Sequence, residues 1–136
     1  GVSIYYEHEK GLNQVKEGAE SAIAANIESG DFDISITKEG GASTKGDGEF
    51  MMKISRVIPD FLSQTGDATV TLNLRDFPTD VEASSSLGPF TVTTNTKKID
   101  TRARARAISL KVSNTSTGQF WKLGTFRLDI QPDGRR

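Results

Sequence analysis

The most unusual feature of the chain is a row in which Arg102, Arg104 and Arg106 alternate with Ala103, Ala105 and Ala107. On an extended backbone this spacing sets three guanidinium groups on one face and three methyl groups on the other. Such a row could contact phosphates, or fork onto carboxylates of a neighbouring subunit. It could also be a solvated sheet face whose small alanines pack against something bulky. The same parity runs on into Ile108, Leu110 and Val112, which have to be core. Either a bulge near Ala107 flips the faces, or the strand runs past the edge of its sheet, and both accounts expose the arginines. Lys97, Lys98, Arg135 and Arg136 complete the candidate set for contact with a subunit or with DNA.

Other residue types bound the chemistry more by scarcity than by pattern. With no cysteine there is no disulfide framework, thiolate zinc site or thiol nucleophile, and His8 is the single histidine. A Ser-His-Asp arrangement would depend on that one residue, which sits between Glu7 and Glu9 and reads as solvated. Asp31 with Asp33, Asp47 with Glu49, and Asp76 with Asp80 and Glu82 could offer oxygens to calcium, but none has the EF-hand loop, and Asp-Gly is ordinary turn chemistry. Paired carboxylates doing glycosidase work would need a cleft, and Trp121 is the only tryptophan to stack on a sugar. Phe120 and Trp121 read as core. Asn114-Thr-Ser116 fits a glycosylation sequon, a signal without meaning outside a secretory context. The chain is expected to have no enzymatic activity, no cofactor and no metal.

The elements that must position these residues are strands. Apolar residues recur with period two at Phe32, Ile34, Ile36; at Phe50, Met52, Ile54; at Ala68, Val70, Leu72, Leu74; at Phe90, Val92; and at Phe126, Leu128, Ile130. Polar residues lie mostly between them. Turn signals fall at Glu39 to Gly41, Lys45 to Gly48, Thr65 to Asp67, Phe77-Pro78, Ser84 to Pro89 and Asn114 to Gly118. This predicts an all-β fold, an antiparallel β-sandwich or small barrel with long polar loops. Ala22 to Ile27 reads as extended, Val57 to Leu62 as a strand end followed by a turn or short helix tucked over the core, and Gly124 as a bulge where the buried parity changes. Residues 7–20, polar and glycine-containing, read as a flexible or protruding loop. The 136 residues suit one domain, and apolar runs of only a few residues predict no membrane insertion. The opening residues lack a signal-peptide pattern.

Net charge is −1, yet residues 1–94 carry 7 basic against 15 acidic side chains and residues 95–136 carry 10 against 3. Such a split suggests a basic face that meets nucleic acid or an acidic neighbour, unless the halves intermix on the folded surface.

Several short motifs occur in order: Glu28-Ser-Gly-Asp-Phe-Asp-Ile34, Gly48 to Phe61, Arg75-Asp-Phe-Pro78, Gly88-Pro-Phe90, Arg102-Ala-Arg104, Trp121-Lys-Leu-Gly124 and Arg127 to Arg136 with its terminal Pro-Asp-Gly-Arg-Arg. In this order, over about residues 20 to 136, the chain resembles the C-terminal part of the nozzle, or DNA-stabilisation, proteins of short-tailed bacteriophage tails. The resemblance implies a non-enzymatic virion component, localised to the phage tail and assembled in the host cytoplasm. It implies a homo-oligomeric ring with other tail or adaptor proteins around the DNA exit channel, and possible non-specific DNA contact. Because nozzle proteins are far longer, it also implies a C-terminal domain or fragment. The alternative from a different class is a calcium-dependent carbohydrate-binding β-sandwich, which requires Asp31, Asp33, Asp47 and Glu49 to converge on one site.

Overall fold

Alternation of buried and exposed residues, the property that marks strands in the sequence, organises the central strands of the structure. The computed structural model describes residues 13–36, 42–43, 50–77 and 81–134. Thirteen strands occupy them: β1 (Asn13–Lys16), β2 (Ala19–Ala22), β3 (Ala25–Glu28), β4 (Ser35–Ile36), β5 (Ala42–Ser43), β6 (Met52–Ile58), β7 (Phe61–Thr65), β8 (Ala68–Arg75), β9 (Ser85–Val92), β10 (Ile99–Ala105), β11 (Ala107–Asn114), β12 (Phe120–Leu123) and β13 (Arg127–Pro132). Every pairing among them is antiparallel. Of the two expected architectures the sandwich-like one is present, since the sheets do not close into a barrel among the described residues.

Two sheets carry the core. One has the order β3-β11-β8-β9, the other β10-β6-β13, and β10 and β8 touch across the space between them. The strictest alternation is in β8, where Ala68, Val70, Leu72 and Leu74 are buried and the residues between them are half-exposed. They join Ile34, Met52, Ile54, Val57, Val92, Ile99, Ile108 and Val112 in one cluster, on which Phe32, Phe50, Leu110, Trp121, Phe126, Leu128 and Ile130 pack from the sides. At roughly 1.5–3 kcal/mol per fully buried aliphatic side chain, this cluster is the dominant favourable term in a chain without cross-links.

Local departures from alternation have identifiable causes. In the three-stranded sheet, while β6 runs from Val57 to Ile54, β10 runs from Ile99 to Ala103 and β13 only from Leu128 to Ile130. The strands fan out, β6 exposes Ser55 and Arg56 in succession, and the sheet bends there. On edge strand β9 the pair Gly88-Pro89 interrupts the ladder, the register with β8 shifting between Val70 and Leu72. Gly88 has φ +110, and a Cβ there would lie 2.8 Å from the Val70 carbonyl oxygen, so only glycine suits this bulge. The expected turn over Ser84 to Pro89 is therefore a bulged edge strand, a position that tolerates a residue without an N–H.

Three further expectations need correction or refinement. Residues 13–20 of the expected loop form the β1–β2 hairpin, turned through Glu17 and Gly18, while residues 7–12 lie outside the described residues. Its strands are almost wholly exposed, and no buried face announced them in the sequence. The segment after Val57 holds no short helix: β6 ends at Ile58, Pro59 and Asp60 make a two-residue corner, and β7 begins at Phe61 to pair with β12. Gly124 does mark the change of parity, from Trp121 and Leu123 turned inward to Phe126, Leu128 and Ile130. Its N–H donates to the Asp60 carbonyl oxygen at 2.8 Å, which ties the segment between β12 and β13 to the corner between β6 and β7.

Candidate functional site

The alternating arginines straddle two sheets. β10 ends at Ala105 and β11 begins at Ala107, so the chain leaves the three-stranded sheet and enters the four-stranded one at Arg106. This change of sheet, of the kind anticipated as a bulge near Ala107, moves the buried parity from Ala103 and Ala105 to Ile108 and Val112. The other account, a strand running past the edge of its sheet, is excluded, because Ala103 and Ala105 have no exposure at all and belong to the core cluster. The two alanine methyl groups lie in the core, while Arg102 and Arg104 stand outside.

Arg106 does not share that face. It is half-buried at the junction, and its Nε donates to the Asp76 carbonyl oxygen at 3.2 Å. The expected row of three exposed guanidiniums is thus a row of two, the third holding the sheet-to-sheet crossing.

The outer face of the β10-β6-β13 sheet assembles charges that are remote in sequence. Lys53 and Arg56 from β6, Arg102 and Arg104 from β10 and Arg127 from β13 are all exposed, as are Asp100 and Asp129. Register places Asp100, Arg56 and Asp129 on one rung, and Arg104, Lys53 and Gln131 on another. On the first rung Arg56 lies between two carboxylates, 3.4 Å from Asp100 and 3.6 Å from Asp129. Lys98 adds a second cation to Asp100 at 3.2 Å. The hydrogen bond from Lys98, ahead of the attraction of Lys98 and Arg56, holds the Asp100 carboxyl below the usual carboxylate range. At the other end Arg104 grips the C-terminal segment, Nε on the Asp133 carboxylate at 2.6 Å and an Nη on the Asp133 carbonyl oxygen at 2.9 Å.

These pairs leave Lys53, Arg102 and Arg127 without an ion-pair partner among the described residues. Of the other candidates, Lys97 is exposed in the connection before β10, and Arg135 and Arg136 lie outside the described residues. Sequence reasoning missed Lys53, Arg56 and Arg127. The signal was present only as exposed positions in alternating strands, and nothing in the chain order says that β6 lies between β10 and β13.

Among the described residues the acidic side chains do not gather. Asp31 is ion-paired to Arg75, which also donates to the Val81 carbonyl oxygen at 3.5 Å. Asp47, Glu49 and Asp80 lie outside the described residues, as does His8, and no group of three metal-ligating side chains converges among the described ones. Asn114 of the sequon is buried, accepting a hydrogen bond from the Trp121 indole at 2.9 Å and donating to the Ile23 carbonyl oxygen at 3.4 Å. It serves as an internal tie that keeps the indole N–H satisfied. No helix among the described residues is long and apolar enough to cross a membrane. No protein-family model matches this chain, and no curated protein matches it.

Proposed function

We propose that the chain is a non-catalytic assembly module, the C-terminal part of a short-tailed phage tail nozzle protein, and that it docks through the outer face of its three-stranded sheet. The observation that carries this reading is the composition of that face. Five cations from three strands face outward, three of them unpaired among the described residues, on a sheet surface rather than in a cleft. An open sheet face with fixed, partly neutralised charge suits a macromolecular partner better than a small substrate.

Two partners carry the complementary charge: a phosphate backbone, or the acidic part of a second subunit. The chain's own balance favours the subunit. Its net charge is −1, and the acidic excess of residues 1–94 gives a second copy what the basic face lacks. A head-to-tail contact between unlike surfaces of identical subunits closes into a ring when the rotation permits.

The test is a Lys53→Glu/Arg102→Glu/Arg127→Glu variant, which leaves Arg104 and Arg106 to their structural partners. Native mass spectrometry and sedimentation of the 136-residue chain at low salt should show oligomers that dissociate with salt and are absent in the variant. Fluorescence anisotropy with duplex DNA runs alongside. DNA binding that is lost in the variant while assembly persists would overturn the subunit docking in favour of a channel-lining face, with a salt slope falling by about 0.9 per lost phosphate contact. A chain that stays monomeric and ignores DNA at every salt concentration refutes the assembly reading.

A further inference from the structure

The two core sheets have four edges, and three of them are broken against further pairing. β9 carries the Gly88-Pro89 bulge, β10 is irregular between Asp100 and Ala103, and β13 ends on Pro132, which has no N–H to offer. The fourth edge, β3, has no proline, bulge or cation. We propose that this edge takes the β1–β2 hairpin of a second copy, β1 adding as a parallel strand with Val15 beside Ile27.

Hydrogen-bond direction is fixed on both partners. Ser29 N–H donates to the Leu110 carbonyl oxygen at 2.9 Å, so by alternation Ala25 and Ile27 also turn their backbone groups toward β11. Asn26 and Glu28 turn theirs to the open side, where no strand follows among the described residues. In the hairpin the two-residue turn Glu17-Gly18, with positive φ at both positions, makes Lys16 and Ala19 the closing hydrogen-bonded pair. Gln14 and Ser21 bond likewise, and Val15 and Glu20 point their N–H and C=O groups outward. In a parallel ladder Val15 N–H donates to the Asn26 carbonyl oxygen, and Glu28 N–H donates to that of Val15.

The side chains agree with this register. Ile27 is 48% exposed although its strand neighbour Val112 is only 1% exposed, so the core lies open along β3. Val15, itself 60% exposed, closes it. The same register sets Gln14 beside Asn26 and Lys16 beside Glu28, an amide pair and a pair of opposite charges. An antiparallel approach by β1 would seat Val15 on the polar face with Asn26 and Glu28, and an approach by β2 offers Ile27 nothing more apolar than an alanine. Pairing β3 with the β3 of another copy would match Ile27 with itself but leave the hairpin bare. A two-stranded ribbon with both faces in water is marginally stable by itself. Its base is tied where Asn13 Oδ1 accepts the Gly118 N–H at 2.6 Å and the Ile23 carbonyl oxygen accepts from Asn114 at 3.4 Å. Those ties keep a chain's own ribbon in a sheet separate from β3, so the strand that fills the edge comes from a second copy. The contact joins unlike surfaces and is head-to-tail. Strands of 4 residues a side fall far below the roughly 20–30 of a stable interface, so the contact is weak alone and is read by trapping rather than by mass.

The chain has no cysteine, so single introduced cysteines report the register. Val15→Cys and Ile27→Cys versions of the full 136-residue chain are mixed in equal amounts and oxidised with copper phenanthroline in about 0.5 M NaCl, which screens the docking of the basic face. Neighbouring strands bring Cα atoms to about 4.8 Å, inside the disulfide range of about 4.4–6.8 Å. The mixed disulfide should exceed either homodimer about tenfold, against about twofold for random collision. Gln14→Cys in place of Val15→Cys puts the thiol on the opposite face and should return the yield to the random value. All three positions are exposed, and an unchanged ¹⁵N-HSQC spectrum elsewhere checks that each variant folds. An excess of the Ile27→Cys homodimer, a random mixture, or an equal yield from Gln14→Cys would each overturn the proposal. Because the contact shares no residue with the basic sheet face and is read at a salt concentration that suppresses that face, its failure leaves the assembly reading standing.

Discussion

Gly124→Ala tests the contact on which the corner of the molecule depends. A Cβ at position 124 would lie 2.6 Å from the Asp60 carbonyl oxygen and 3.3 Å from its carbon, both backbone atoms. A methyl carbon and an oxygen do not normally approach closer than about 3.2 Å, so the two segments must separate by more than half an ångström. The 2.8 Å hydrogen bond from Gly124 N to Asp60 O would stretch beyond useful geometry. Losing that bond costs roughly 0.5–1.5 kcal/mol, and forcing the overpacked methyl adds about 1–3 kcal/mol, for a total of about 1.5–4.5 kcal/mol, centred near 3. For a chain of this size that corresponds to a fall in Tm of roughly 6–14 °C. Gly30→Ala is the control, since nothing lies within 4 Å of its Cβ position, and it should be neutral or stabilising by up to about 1 kcal/mol. Calorimetry and urea unfolding of both variants read the difference. A Gly124→Ala protein within about 0.5 kcal/mol of the parent would refute the steric argument, because a corner able to yield so cheaply is not pinned by that contact.

Leu72→Ala, at a fully buried position in the central strand β8, should cost about 2–5 kcal/mol in a denaturant titration. Arg104→Ala should cost no more than about 1 kcal/mol, since the pair with Asp133 is about half exposed, but it should speed amide exchange at Asp133, which the guanidinium holds against β10. Asp100 gives the pH dependence. Its folded pKa lies below the ordinary 3.8, so its contribution to stability is present above that pH and is lost as pH falls through the folded value. An NMR titration of the Asp100 carboxyl should show this depression, and Lys98→Ala should raise the value toward 3.8; an unchanged midpoint would mean that Lys98 does not hold it.

Period-two alternation was enough to identify the fold class and the core. Leu72, Ile54, Ile108 and Val112 were recognisable because a strand with one buried face writes that face into every second residue, and the sheets place those residues inside. The β1–β2 hairpin was not recognisable for the converse reason: both its faces meet water, so its strands leave no apolar pattern. The basic face was half-legible. Arg102 and Arg104 lie two residues apart in the chain and declared themselves, but Lys53, Arg56 and Arg127 join them only because β6 lies between β10 and β13, a choice made by non-local hydrogen bonding. Arg106 looked equivalent to its two neighbours and is not, because the change of sheet falls on it and turns its side chain toward Asp76. The sequence alone determined which side chains can be buried and which must face water, since that depends on their own polarity and spacing. Only the tertiary structure decided which exposed charges become neighbours and which arginine is spent on holding the fold, because strand order and register are settled by the packing of the two sheets together.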